Sequence, residues 1–313
     1  MKVVFTILFC FFAIIKVIGE ERQNSIFVIP FGYDFLRFGD RSAAVGVGYL
    51  YGEQNIPFDE VECRFSALAL YQPFFFMEEP FVGIPKQLHQ IDAIFDGRIN
   101  QHQLLAIFKS SADKPIAGGL NTFQAGIGWG YELIRRSNMS LILGGALGVS
   151  EFEISGVISP VLPLPLVRFG FNSQWLTASF DFLTGPNLDF VIVPKGRVRF
   201  TADMRMDHYR SINDLIFECI LWYRLFDVNH RLGDFAGVGL GVKNDSIDFV
   251  ISSNSIIFEL QQRAIFAVLD LSLLKIEGGW IFDNLYLINE NKDGNLGRGF
   301  FISVQGMLPI RRR

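Results

Sequence analysis

From Gly196 to His208 the chain alternates with almost no error. Val198, Phe200, Ala202, Met204 and Met206 fall on one side of an extended strand; Arg197, Arg199, Thr201, Asp203, Arg205 and Asp207 fall on the other. One face is apolar and the other charged, over the roughly 9 to 11 residues that a tilted strand needs to cross a bilayer. A soluble sandwich strand shows the same alternation. The pattern recurs, with glycine or small polar residues on the second parity. Leu120–Leu133 sets Phe123, Ala125, Ile127, Trp129 and Tyr131 against Gly126, Gly128 and Gly130, and Met139–Val149 returns after the turn at Arg135–Asn138. Phe235–Lys243 sets Ala236, Val238, Leu240 and Val242 against Gly237, Gly239 and Gly241. In Trp175–Phe182, Thr177, Ser179 and Asp181 oppose Leu176, Ala178, Phe180 and Phe182, and Arg168 takes the polar parity of the preceding segment.

Other stretches are less regular. Ala43–Tyr51 is read with Ala43 and Val45 outward and Gly46 and Gly48 inward. Gln72–Pro85 reads as an aromatic, proline-punctuated loop, and Ser159–Pro165 as a proline-rich crossing. Residues 86–110 hold either two strands or a short helix near Pro85–Ile94. Leu188–Val193 is short for a crossing, which predicts a bulge or bend. Lys243–Ser246 reads as a turn. The fold class expected is all-β, an antiparallel transmembrane β-barrel of about 12 strands, range 10 to 14, evenness being favoured.

Composition narrows this. Half the residues are hydrophobic and mean hydropathy is +0.30, yet beyond the N-terminal segment no run of 18 apolar residues offers a spanning helix. Alternating barrel strands produce that combination. Met1–Gly19, with a basic start, an apolar run and small residues at its end, predicts a signal peptide cut after Gly19, a retained anchor being the alternative; residues 20–313 then form one domain. The 28 basic against 32 acidic side chains, with Lys2 and Lys16 lost in the signal, argue against nucleic acid as a partner. Cys63 and Cys219 either pair or stay as packed thiols.

Chemical motifs are weak. Gly-x-Gly-x-Gly at Gly126–Gly130 and Gly237–Gly241 continues as strand, without the helix N-terminus a dinucleotide needs, and glycines that make room inside a barrel explain both. Asn289–Gly294 starts like a calcium loop, but position twelve is Phe300 in place of a bidentate Glu. His208 beside Asp207 and His230 near Asp234 are candidate bases, with no serine in a privileged place. No enzyme activity, cofactor or metal site is therefore expected. The charged parity is the functional candidate: Arg168, Thr177, Ser179, Asp181, Arg197, Arg199, Thr201, Asp203, Arg205 and Asp207 as lumen lining, either a charge-selecting constriction or a salt-bridged filling.

Phe123–Gly130, Pro163–Val167, Trp175–Phe182, Gly278–Asp283 and Gly299–Ser303 resemble a domain-of-unknown-function family of outer-membrane β-barrels of diderm bacteria, over roughly the C-terminal two thirds. The resemblance implies location in that membrane, with its lipid and its assembly machinery as partners, and no activity. The ending Leu308–Arg313 departs from the terminal aromatic of many such barrels. A porin-like passive channel or transporter for small or amphipathic solutes is expected, the alternative being a plugged structural or adhesive barrel whose loops bind partners. A secreted β-sandwich is the third reading.

Overall fold

The computed structural model describes residues 26–38, 41–58, 61–77, 83–115, 119–154, 157–182, 186–206, 215–230, 233–253, 256–271, 274–289 and 291–311. The expected signal peptide, Cys10, Asp207 and His208 lie outside them. Strands follow one another as β1 Ile26–Phe38, β2 Arg41–Phe58, β3 Val61–Phe76, β4 Gln87–Ile99, β5 His102–Ala112, β6 Gln124–Arg136, β7 Met139–Ile154, β8 Val157–Asn172 and β9 Leu176–Asp181. They continue as β10 Asn187–Ile192, β11 Val198–Met206, β12 Leu215–His230, β13 Gly233–Ile251, β14 Ile256–Asp270, β15 Leu274–Ile288, β16 Asn291–Asn295 and β17 Gly299–Arg311. β16 is a short return against the end of β15. The rest pair antiparallel with their neighbours, and β1 pairs along its whole length with β17, from Ile26 opposite Arg311 to Phe38 opposite Gly299. That pairing closes a barrel of 16 strands.

The expected count of about 12, range 10 to 14, is corrected by this ring. Staves were hidden where the period-two signal is interrupted. Residues 86–110 form β4 and β5, with no helix. Their inward parity mixes apolar and charged residues, Leu88, Gln90 and Asp96 on one strand and Gln103 and Leu105 on the other, which blurs the alternation. The proline-rich crossing is part of β8. This strand overshoots its neighbour β9, which it meets only from Arg168 to Asn172, so Pro163 and Pro165 sit where no second strand requires an N–H. Phe74–Phe76 belong to β3, and Lys243–Ser246 is no turn: β13 runs straight through it. The Ala43–Tyr51 orientation also reverses. Ala43 and Val45 are buried inside, and Gly46 faces the Pro73 ring, 3.2 Å from where a Cβ would stand. β10 is short, as expected, and pairs with β9 and β11 in unbroken register, so of the bulge or bend expected there no bulge forms and the chain bends at Val193, where φ is 52°.

Outward positions carry the apolar parity. Leu240 is 70% exposed and Ile127 63%, and with Trp129, Leu147, Leu221, Tyr223, Ile265, Trp280 and Ile302 they continue the belt across adjoining strands. A contiguous apolar surface on that scale belongs against lipid. Inward glycines admit neighbouring bulk, as expected. A Cβ on Gly128 would stand 3.0 Å from Leu166, and one on Gly241 2.5 Å from Phe266.

β13 has 19 residues, against the roughly 9 to 11 a crossing needs, and its excess length changes character. Its inward parity passes from Gly237, Gly239 and Gly241 to Lys243 and Asp245 and then to Ile247, Phe249 and Ile251. These last pack with Phe74, Phe76, Ile84, Leu88, Phe258 and Leu260 into an apolar core inside one end of the ring. The outward parity of the same hairpin turns polar: Ser246 Oγ donates to Glu259 at 2.7 Å, and Arg263 meets Asp283 at 3.2 Å. The hairpin therefore leaves the lipid belt and leans across the mouth. Val250 pairs with Ala112 of β5, on the opposite side of the ring, and the Asp113 N–H donates to the Val250 carbonyl at 3.2 Å. Asp113 also accepts from the Ser252 N–H at 2.7 Å and from its hydroxyl at 3.1 Å.

Candidate functional site

The lumen below this cap holds two groups of polar side chains. The first joins β4, β5, β8 and β9. Arg168 donates from Nε to Asp181 at 2.5 Å and from Nη1 to Asp96 at 2.8 Å, linking β8 to a strand that is not its neighbour. Asp96 also accepts from the buried Gln103 amide at 2.7 and 2.8 Å. Leu105, Ile142, Ala146 and Leu166 form a small apolar cluster in the same wall. A half-buried guanidinium shared between two carboxylates is held by geometry as well as charge. It acts as a strut across the interior.

The second group lies along β1 and β11 to β17. A cavity of about 220 Å³ is lined by Asp34, Glu218, Lys243, Asp245, Gln262, Lys275 and Glu277, with Phe74, Phe249 and Phe301 as its apolar wall. A neighbouring space of about 250 Å³ adds Asp203 and Arg205. Arg205 approaches Asp245 at 3.7 Å, and Lys275 pairs with Glu277. The Lys243 ammonium stands 4.0 Å from the Phe301 ring centre and 5.5 Å from that of Phe266, a cation–π arrangement.

The expected lumen residues divide between these groups. Arg168 and Asp181 join the strut. Thr177 donates to Asn172 at 3.1 Å and Ser179 to Asp189 at 3.1 Å, both near it in the wall. Thr201 accepts from the Trp222 indole N–H at 3.0 Å, and the Arg199 guanidinium lies 5.6 Å from the Trp222 ring centre. Asp203 and Arg205 border the second cavity. Arg197 stands just before β11 in the turn, where its carbonyl accepts from the Arg224 N–H. Asp34, Asp96, Glu218, Lys243, Gln262, Lys275 and Glu277 were missed. For two of them parity was signal enough: Glu218 shares that of Trp222, and Lys243 follows directly on Gly237, Gly239 and Gly241.

Other candidates take structural places. The candidate base His208 and the side chain of His230 lie outside what the structure describes; of the other histidines, His89 Nδ1 is hydrogen-bonded to the Tyr71 hydroxyl at 2.8 Å, and His102 stacks on Trp129. Cys63 and Cys219 are both free thiols. The calcium-like run forms the β16 return, with Asn289 at positive φ, as an exposed turn would. Among the described residues no cluster of three or more metal-ligating side chains is found, and no helix is long and apolar enough to cross a membrane.

A closed antiparallel ring with an apolar exterior and a charged interior defines a transmembrane β-barrel. No family model matches the chain, and no curated protein matches it. Among solved structures, a mutant Rh. blastica porin aligns over 91% of this chain and 99% of its own, at 10% identity and a TM-score of 0.42. A BenF-like porin from Pseudomonas fluorescens Pf-5 aligns over 91% and 98%, at 9% identity and 0.37. OccK2 (OpdF) from Pseudomonas aeruginosa aligns over 91% and 97%, at 9% identity and 0.38. At these values the likenesses carry no weight beyond themselves, and the class rests on this chain's own ring.

Proposed function

We propose that this protein is an outer-membrane channel for small hydrophilic solutes, with one mouth capped by the β13–β14 hairpin. The observation that carries the reading is the 16-strand closure around a charged interior, since barrels of 16 to 18 strands are wide enough for an aqueous path whereas about 8 are filled by side chains. The capped end also has the longer connections, residues 77–86, 113–123 and 207–214, against 100–101 and 137–138 at the other end. Longer loops face outward in outer-membrane barrels, so the cap is assigned to the external mouth. Arg168, Asp181, Asp203 and Arg205 border the path in this reading, and the assembly machinery and outer-membrane lipid are its partners. Export through a cleaved signal belongs to the same proposal.

A second reading, a plugged barrel that presents loops to a partner, is favoured by the apolar cap itself. Planar-bilayer recording of the refolded protein separates the two. Conductance in the wild type, or in a variant whose hairpin is released, supports the channel. Silence of both at every voltage overturns it in favour of the plug.

A further inference from the structure

The 220 Å³ cavity beneath the cap contains charged and polar groups of both kinds whose protein partners are incomplete. On the donor side, Gln262 is only 8% exposed and its Nε2 has no hydrogen-bond partner in the protein. Among the described residues Lys243 makes no salt bridge; its ammonium rests on the Phe301 and Phe266 rings. On the acceptor side, Asp34 Oδ1 is buried without a partner, and Glu218 makes no salt bridge. The remaining charges are already matched, Lys275 with Glu277 and Arg205 with Asp245.

Buried polar groups in native proteins are almost always satisfied, so two unpartnered ones lining a single cavity, Gln262 Nε2 and Asp34 Oδ1, need an explanation. A buried amide N–H without an acceptor is costly, and a charged group more so. From these features we infer that the cavity is a binding site for a small zwitterionic solute of the amino-acid class. Its ammonium is held by Asp34 and Glu218, and its carboxylate by Lys243 and Gln262 Nε2. The apolar wall of Phe74, Phe249 and Phe301 covers the carbon chain and excludes water, which strengthens both ionic contacts. The volume sets the size: at about 30 Å³ per water it equals some seven waters, below the roughly 300 to 1,000 Å³ of sites for drug-sized ligands. The uncompensated side chains, two carboxylates against one ammonium, leave the site with a net negative charge. An amine alone therefore binds better than an acid alone.

This inference rests on the channel reading only for how the solute reaches the site, so it is tested by binding in detergent micelles, where conduction plays no part. Titration calorimetry with alanine and 4-aminobutyrate, as zwitterions of two lengths, is set beside butylamine and butyrate. At least one zwitterion is expected to bind about tenfold or more tightly than butylamine, with butyrate weakest. In Lys243→Met the zwitterion should lose its advantage over butylamine, whose own affinity should hold or rise because a like charge has left the site. Gln262→Leu gives a second reading should the lysine variant misfold. It should weaken the zwitterion while leaving the fold as stable or more so, because it removes an unpartnered buried amide. Zwitterions binding no better than butylamine, or losing nothing in either variant, would overturn the site. Conductance without this binding would leave the channel standing and refute only the site.

Discussion

Asp113→Ala should release the hairpin that covers the mouth. The perturbation removes one carboxylate and with it two hydrogen bonds, from the Ser252 N–H at 2.7 Å and its hydroxyl at 3.1 Å. Hydrogen bonds to a charged group are worth about 1.5 to 3 kcal/mol each. Asp113 is half-buried at the barrel rim, so solvent screening lowers that value, and about 2 kcal/mol for the pair is a fair magnitude. At 1.4 kcal/mol per decade this raises the ratio of open to closed mouths about 30-fold. The backbone bond from Asp113 to Val250 survives the change, as does the apolar cap. Phe249→Ala acts on that cap directly. Phe249 is almost fully buried against Phe74, 5.8 Å between ring centres, and such truncations cost about 3 to 5 kcal/mol. Single-channel recording should show longer or more frequent openings in Asp113→Ala, more again in the double variant, and an intermediate effect in Asp113→Asn, which keeps one acceptor but loses the charge. A reversible lock completes the assay: Val250→Cys with Ala112→Cys joins the paired positions in a background without Cys63 and Cys219, and should close the channel until reduced. Identical open fractions in the wild type, Asp113→Ala and the double variant, with folding verified by heat-modifiable migration, would refute the hairpin as the closing element.

Three further outcomes follow from the packing. Leu240→Arg, at the most exposed apolar position of β13, should cost about 2 to 4 kcal/mol in lipid-vesicle unfolding titrations; a neutral result would mean that this face does not meet the bilayer core. Gly239→Ala places a methyl 2.7 Å from Ile220 and 2.8 Å from Val268 and should destabilise by about 1 to 3 kcal/mol, whereas Gly145→Ala, with nothing within 4 Å, should be tolerated; urea midpoints compare the two. Arg168→Met breaks the strut and leaves Asp96 and Asp181 without their shared cation, so the urea midpoint should fall by the equivalent of about 1 to 3 kcal/mol and ion selectivity, read from reversal potentials, should move toward cations.

Much of the ring was legible in the chain. Wherever lipid meets one face and glycine or charge the other, as at Gln124–Leu133, Val198–Met206 and Phe235–Val242, the period of two is strong because burial is one-sided; Leu120–Thr122, expected in the first of these strands, form a turn of 3-10 helix instead. It fails where the barrel fills its own interior. Ile247, Phe249, Phe258 and Leu260 are as apolar as any lipid-facing residue, so hydropathy alone cannot distinguish cap from belt. The same ambiguity turned Ala43 and Val45 the wrong way round. Prolines in β3 and β8 were taken for loops because nothing local shows that their side of the ladder is interrupted or unpaired. Of the candidate site, one wall could be read from parity, namely Arg199, Thr201, Asp203 and Arg205. Glu218 and Lys243 continue that wall and share its parity, whereas Gln262 and Asp34 come from strands farther away, and only ring closure through β1 and β17 sets Asp34 opposite Ser303 and near β13.

Alternation along the chain is enough to establish an all-β protein with one apolar and one polar parity, because a pleated strand sends alternate side chains to opposite faces whatever it pairs with. Tertiary structure decided the rest. The number of staves depends on which segments find partners, and the cap depends on β13 outrunning the lipid belt and reaching β5 across the mouth. The polar cavity exists because long-range pairing brings together charges whose local sequence gives each of them only a side of a strand.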